Sequence, residues 1–298
     1  MTVEEINGFI ENQKKEWPVA GKGFAALDGV EVKTFYVDGV PVKVQFNPAR
    51  AVSSGAKVDK ATISARPCFL CAKNRDSLQK NIPWKDGQYE ILLNPFPIFP
   101  RHLTVPATSH TLQSIEGRIA HMFELAGELP GFTVFYNGPR CGASAPDHMH
   151  FQAGDSDFLP VWQWLIDERL EEIATTGKSV LKVSKNLPMK VYVIDAVDAT
   201  EAEKLFEKVL SILPPTKESG EEAMMNVLAQ RLDGITRFVV IPRRRHRPSF
   251  YDAETEEGMM ISPASVDLGG VFILPRKIDF DRIDAAKIKE VYNEVTFQ

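Results

Sequence analysis

Asn137-Gly-Pro-Arg140-Cys-Gly142-Ala-Ser144-Ala-Pro-Asp147-His148-Met-His150-Phe-Gln152 is the stretch whose reading decides the rest of this chain. Its first half is rich in glycine and proline and reads as a loop. Its second half alternates, and residues two apart in a strand share a face. His148, His150 and Gln152 therefore fall on one face, with Met149 and Phe151 turned to the core. Gly138 and Gly142 allow close approach, so the loop can offer backbone N–H groups to an anion. An imidazole beside such a loop can attack phosphorus. Two histidines on a strand are, taken alone, more often hydrogen-bonded surface groups, so the weight rests on the whole string.

The bulk numbers frame that motif. At 298 residues the chain is long enough for two units, and the pattern restarts near residue 188, giving units 1–187 and 188–298. Hydrophobic content of 44% and charged content of 25% are those of a soluble globular protein. A net charge of −5 argues against a polynucleotide as partner. There is no apolar run of about 18 residues and no basic, apolar leader, so a membrane span and a signal peptide are not expected. Three cysteines, two of them in Cys-x-x-Cys, fit a reducing compartment, and the expected location is cytoplasmic.

Periodicity predicts an α+β fold. Residues 2–16 read as a helix, and residues 30–46 as a β-hairpin turning at Asp38-Gly39. A polar loop is expected from Ser53 to Lys60. Tyr89–Leu93 and His102–Val105 read as strands joined by the proline-rich Asn94–Pro100. Thr111–Leu129 reads as a helix with a stripe of Leu112, Ile115, Ile119, Met122, Phe123 and Ala126. Phe132–Tyr136 is a strand, and Val161–Ile173 a helix with Trp162, Leu165, Leu170 and Ile173 inward. In the second half Lys190–Ile194 is a strand, followed by a helix capped by Thr200 with Glu203 and stopped at Pro214-Pro215. Arg237–Ile241 and Val271–Leu274 read as strands and Asp284–Val291 as a closing helix. Strand, helix and strand thus recur in both halves, as in a degenerate duplication, although no repeat shows residue by residue.

Two further motifs bear on chemistry. Gly177-Lys178-Ser179 is no phosphate-binding loop, because such a loop needs a glycine where Glu172 stands. Cys68 and Cys71 can be redox-active, metal-binding or incidental, and the thioredoxin-like context of the redox version is missing. Their spacing is that of half a structural zinc site, for which His110 and His148 are candidate partners. The run Arg243–Arg247 reads either as a solvated strand end or as a phosphate clamp, with Arg244 assigned to phosphate.

His148-Met-His150-Phe-Gln152 resembles the His-x-His-x-Gln signature of the nucleotidyl-transferring branch of the histidine-triad-like superfamily. That branch includes galactose-1-phosphate uridylyltransferases, diadenosine tetraphosphate phosphorylases and GDP-L-galactose phosphorylases; the hydrolases carry a third histidine where Gln152 stands. The resemblance extends over roughly residues 40–160, and a bacterial subgroup carries a similar pattern. Gln45-Phe-Asn47-Pro-Ala-Arg50 is similar to the Gln-Leu-Asn-x-x-Arg of the GDP-L-galactose phosphorylases. Asn94 and the stretch through His102–Pro106 resemble the segment that carries ribose contacts, and Ser262–Gly270 a C-terminal segment of the plant enzymes.

The resemblance implies an antiparallel sheet with flanking helices and a nucleotidyl-histidine intermediate on His150. Gln152 would hold a phosphate oxygen, with Ser144 and the loop N–H groups on the developing charge. Gln45, Asn47, Arg50, Asn94, Asn137 and Gly142 would bind nucleotide and phosphate. It further implies structural zinc on Cys68, Cys71, His110 and His148. A carboxamide cannot protonate a poor leaving group, so transfer or phosphorolysis of a nucleoside diphosphate sugar is expected, with phosphate or a sugar phosphate as second substrate. A dinucleoside polyphosphate phosphorylase or hydrolase, and a zinc-stabilised nucleotide-binding protein without turnover, are the alternatives.

Overall fold

The structure, a computed structural model, describes residues 1–51, 55, 59–168, 170–214 and 222–298. Thr2 and Glu5 close a capping box on helix α1 (Val3–Glu16), which buries Ile6 and Ile10. Helix α2 (Pro18–Ala25) follows with proline at its first position, where a missing N–H costs nothing. The expected hairpin forms from β1 (Glu31–Val37) and β2 (Val40–Phe46). Asp38 and Gly39 take φ of +48° and +86°, the left-handed pair that a two-residue hairpin turn demands. Helix α3 (Lys60–Ala65) leads to the cysteines.

Two units of identical connectivity come next. The first is β3 (Asn81–Trp84), β4 (Tyr89–Leu93), β5 (His102–Pro106), α4 (Ile119–Glu128), β6 (Phe132–Asn137) and β7 (His150–Asp155). Helix α5 (Val161–Asp167) links it to β8 (Glu171–Thr176), β9 (Ser179–Val183), β10 (Tyr192–Ala196), α6 (Ala199–Ile212), β11 (Met225–Leu232) and β12 (Ile235–Pro242). The strand order is β3-β4-β5-β7-β6 in one unit and β8-β9-β10-β12-β11 in the other. β6 and β11 pair antiparallel and fuse the halves into one ten-stranded sheet. The duplication is thus visible as topology. Its second unit includes β8 and β9, ahead of the expected division at residue 187.

The C-terminal segment returns to the first half. Helix α7 (Ser265–Leu268) precedes β13 (Val271–Leu274), which pairs parallel with β2 in a three-stranded sheet, and α8 (Lys277–Arg282) and α9 (Ala285–Val295) close the chain. Alternation along the strands feeds two cores. On one face Ile10, Met122, Leu125, Leu205 and Phe206 of α1, α4 and α6 pack with Ile91, Phe151, Val227 and Phe238. On the other, Val44, Trp164, Phe272, Phe280 and Val291 pack with Phe135, Leu228, Val239 and Ile241. Each such side chain, fully buried, contributes roughly 1.5–3 kcal/mol.

Several expectations are corrected. The helix predicted over Thr111–Leu129 begins only at Ile119, and Leu112 is 75% exposed. Thr111 and Gln113 spend their backbone groups on Met149 and Pro146 instead of on a helical ladder, and Gly117 sits at φ +67°. The helix from Val161 ends at Asp167; Ile173 lies on β8, in a run of β-branched and threonine residues that pairs with β9. Gly177-Lys178 is the β8–β9 turn. Asp198, not Thr200, caps α6, and Glu203 instead accepts the N–H of Ala120 on α4 at 3.0 Å. The expected Ser53–Lys60 loop falls largely outside the described residues, as does Pro215, while Lys60 begins α3.

Candidate active site

β7 runs between β5 and β6, with His150 opposite Pro106 and Gln152 opposite Thr104 and Phe135. Met149 and Phe151 join the core beneath α4, as the alternation requires. His150 and Gln152 point the other way, into a cavity of about 710 Å3 closed by the C-terminal segment. Asn94, Asn137, Gly142, Ser144, Ala264 and Asp267 also line it. His148 lies two residues before the strand and does not share this face; its ring turns to Cys68 and Cys71.

The His150 ring is fixed by its backbone. Nδ1 lies 2.8 Å from the His148 carbonyl, which can only accept, so Nδ1 carries the proton and Nε2 the lone pair. Burial pushes the imidazolium down to about 4, so the ring is neutral at pH 7. Gln113 brackets the same residue: its Oε1 accepts the His150 N–H at 2.8 Å, and its Nε2 donates to the carbonyls of His150 and Asn137. Gln113 makes these bonds from outside the helix, which begins at Ile119.

Two carboxamides are oriented with equal definiteness. Ile98 donates its N–H to Nδ1 of His102, so the His102 proton is on Nε2 and is donated to Oε1 of Gln152 at 3.0 Å. Asn94, held to Thr104, also faces that oxygen. Oε1 being occupied, Nε2 of Gln152 is the group offered to the cavity. Asn137 repeats the pattern: its Oδ1 accepts from Asn226 Nδ2 at 2.8 Å and from the Ser265 N–H at 2.9 Å. Gly142, at φ +97°, lets the loop pass Ala264, since a Cβ there would meet the Ala264 Cβ at 2.5 Å.

Three guanidinium groups reach the cavity. Arg50 donates to the Phe96 carbonyl, Arg66 to the Ser144 carbonyl and Asp147, and Arg75 to Glu90. Nε of Arg50, Nη1 of Arg66 and Nη1 of Arg75 are buried without a partner among the described residues. Three guanidinium groups along one wall suit an anionic ligand. Desolvation lowers Arg50 to about 10, still charged at pH 7, while burial lifts the nearby Asp267 carboxyl to about 6.

Cys68, Cys71, His110 and His148 gather beside this cavity, with their ligand atoms all within 4.8 Å of one another. Sγ of Cys68 is 3.3 Å from His148 Nδ1, and Sγ of Cys71 is 3.2 Å from His110 Nδ1. Neighbouring sulfur and nitrogen ligands on a tetrahedral ion stand roughly 3.5 Å apart. Nε2 of His148 donates to the Ala107 carbonyl at 2.7 Å, which leaves Nδ1 as the ligand atom. The set fits a metal ion.

The remaining predicted residues are placed differently. Gln45 and Asn47 are buried, and Asn47 donates to Gln45 and to the Pro97 carbonyl, bracing the β4–β5 connection without lining the cavity. Arg244 lies in a separate pocket, over the ring of Phe297. Sequence reasoning passed over Gln113, Arg66 and Arg75 as site residues, and placed His102 only within a segment of ribose contacts. Arg66 and Arg75 flank the Cys-x-x-Cys and were legible as its basic neighbours; Gln113 carried no signal.

Residues 9–155 match the family described as domain of unknown function DUF4922. No curated protein matches the chain. Among solved structures, yeast Ap4A phosphorylase Apa2 is similar with a TM-score of 0.65 and 16% identity over 96% of this chain and 97% of that one. Its complex with AMP gives 0.63 and 18% over 96% of each chain, and its complex with Ap4A gives 0.61 and 17% over 94% and 96%. The likeness in fold thus runs over nearly the whole chain, well beyond the span on which the His-x-His-x-Gln resemblance rested.

Proposed function

We propose that this chain, which has the fold of a histidine-triad-like Ap4A phosphorylase, transfers a nucleotidyl group through His150. The observation that carries the reading is the tautomer of His150: a neutral ring with its lone pair on Nε2, beside two carboxamide N–H donors and a glycine loop. Nε2 forms a bond to the α-phosphorus while the bond to the leaving phosphate oxygen breaks, and the leaving group keeps that electron pair. An incoming phosphate oxygen then forms the new bond and releases Nε2. Gln152 Nε2 and Asn137 Nδ2 donate to the non-bridging oxygens as their charge grows.

The metal cluster reads as structural zinc, because four protein ligands leave no open position. Bound zinc would supply rigidity to His148, whose carbonyl accepts the hydrogen bond from His150 Nδ1. A nucleoside diphosphate sugar is the first substrate class, with phosphate or a sugar phosphate as acceptor. A dinucleoside polyphosphate is the second, and the guanidinium groups of Arg50, Arg66 and Arg75 along the cavity favour its longer phosphate chain.

The test is a covalent trap. The protein is incubated with UDP-glucose, GDP-mannose, Ap3A and Ap4A labelled at the α-phosphate, quenched, and assayed for label on protein. Acid-labile label that His150→Ala abolishes is the expected result. Nucleotide binding with no label from any of the four would make the chain a binding protein without turnover.

A further inference from the structure

We propose that Arg243 and Asn226, both outside the cavity, are positioning residues that aim the Asn137 amide at the substrate phosphate. The proposal rests on the nucleotide reading of the cavity. Asn226 on β11 lies directly opposite Asn137 on β6, at the joint between the two units. Arg243 opens the basic run, yet it is 3% exposed and has nothing left for a phosphate. Its five N–H groups are spent on Asn226 Oδ1 at 2.6 Å and on the carbonyls of Pro263, Val295, Arg245 and His246 at 2.8–3.2 Å.

The consequence is a chain of forced orientations. A guanidinium only donates, so the Asn226 side chain must turn its oxygen to Arg243. Its Nδ2 then faces Asn137 Oδ1 and the Cys141 carbonyl, both at 2.8 Å. Asn137 must in turn meet Asn226 with oxygen, and the Ser265 N–H requires the same of it. Nδ2 of Asn137 is left for the cavity that His150 enters. The Cys141 bond holds the glycine loop at the same time. Without Arg243, only the Cys141 carbonyl and the Ser265 N–H remain to keep this buried pair from presenting an oxygen to an anion. The second unit thereby sets the polarity of a donor in the first.

The experiment is a double-mutant cycle on AMP binding, read by calorimetry, with turnover measured alongside. Asn226→Asp keeps a partner for Arg243, so the fold is retained, but it removes the donor to Asn137. Asn137→Ala removes the aimed group. Each single variant is expected to weaken AMP binding about tenfold or more. The double variant should bind more tightly than the product of the two single losses, because the action of Asn226 passes in part through Asn137, and any excess over Asn137→Ala is the share of the Cys141 bond to the glycine loop. A purely structural role would make the losses multiply, and that outcome overturns the proposal, as does wild-type affinity in Asn226→Asp. Arg243→Lys, which keeps the charge but not the five-fold geometry, gives a second cycle with the same expectation. Failure of the wild-type chain to bind AMP defeats the nucleotide reading and this proposal together; binding with multiplicative losses defeats this proposal alone.

Discussion

Nε2 of His102 lies 3.0 Å from Oε1 of Gln152, and the backbone N–H of Ile98 on the far nitrogen decides which of the two donates. The pair makes Gln152 a donor toward the cavity. An asparagine at 102 would place its amide where Nδ1 stands and a glutamine where Nε2 stands. His102→Asn is therefore expected to keep the Ile98 contact and lose about 10–100-fold in kcat, the usual range for a supporting shell. His102→Gln should retain turnover within a few-fold (about threefold) of the parent. Equal losses in both variants would leave His102 a packing residue.

On the proposed mechanism, Gln152 limits which acceptors can serve. A carboxamide cannot protonate a departing amine or alkoxide, a service worth about 10²–10⁴-fold where an acid supplies it. Turnover of a nucleoside diphosphate sugar or dinucleoside polyphosphate should rise with added phosphate or sugar phosphate at fixed ionic strength, and nucleoside phosphoramidates should be poor substrates. Product formation at the same rate with and without phosphate would make the protein a hydrolase.

Elemental analysis of the purified chain should find about one zinc per chain, as a closed four-ligand site implies. Cys71→Ser should bind less of it and unfold at lower temperature, since metal binding is coupled to folding. A zinc-free preparation of unchanged melting temperature would remove the metal from the account.

Stability should depend on pH through His102. Burial, reinforced by Arg50, holds its imidazolium down to about 3, against an unfolded value of about 6.5. Above pH 6.5 both states are neutral there and the group contributes nothing. As pH falls from 6.5 toward 3 the unfolded chain takes up the proton and the folded one does not, so stability falls by up to about 1.4 kcal/mol per pH unit. Asp267, raised to about 6 by burial, acts with the opposite sign between its unfolded value and 6. Urea midpoints for His102→Gln should show a shallower acid decline than the parent. Superimposable pH curves for the two proteins would contradict the assignment.

Gly142→Ala should cost about 1–3 kcal/mol of stability, from a strained left-handed φ and the approach to Ala264. Because Ala264 belongs to the segment that closes the cavity, AMP affinity should fall with it. A variant as stable as the parent, measured by urea unfolding, would show that loop and segment can part freely.

Local pattern alone carried much of this protein. The strict two-residue period of Met149-His150-Phe151-Gln152 placed two side chains in the core and two opposite, and the turn at Asp38-Gly39 set its hairpin, because both depend only on neighbouring residues. The Cys-x-x-Cys spacing likewise announced half a metal cluster. What sequence could not carry was any choice made between distant segments. Thr111–Arg118 has helical periodicity, yet it is irregular, with the Gln113 side chain bonded to the backbone of His150. The basic run reads as a solvated strand end or a phosphate clamp, yet Arg243 is buried among carbonyls and Arg244 lines a pocket apart from the His150 cavity. The proton of His150, the turn of Gln152 and the turn of Asn137 are each set by a carbonyl, ring or guanidinium brought from another part of the fold. A hydrogen bond has direction only when both partners are in place, and that placement is tertiary.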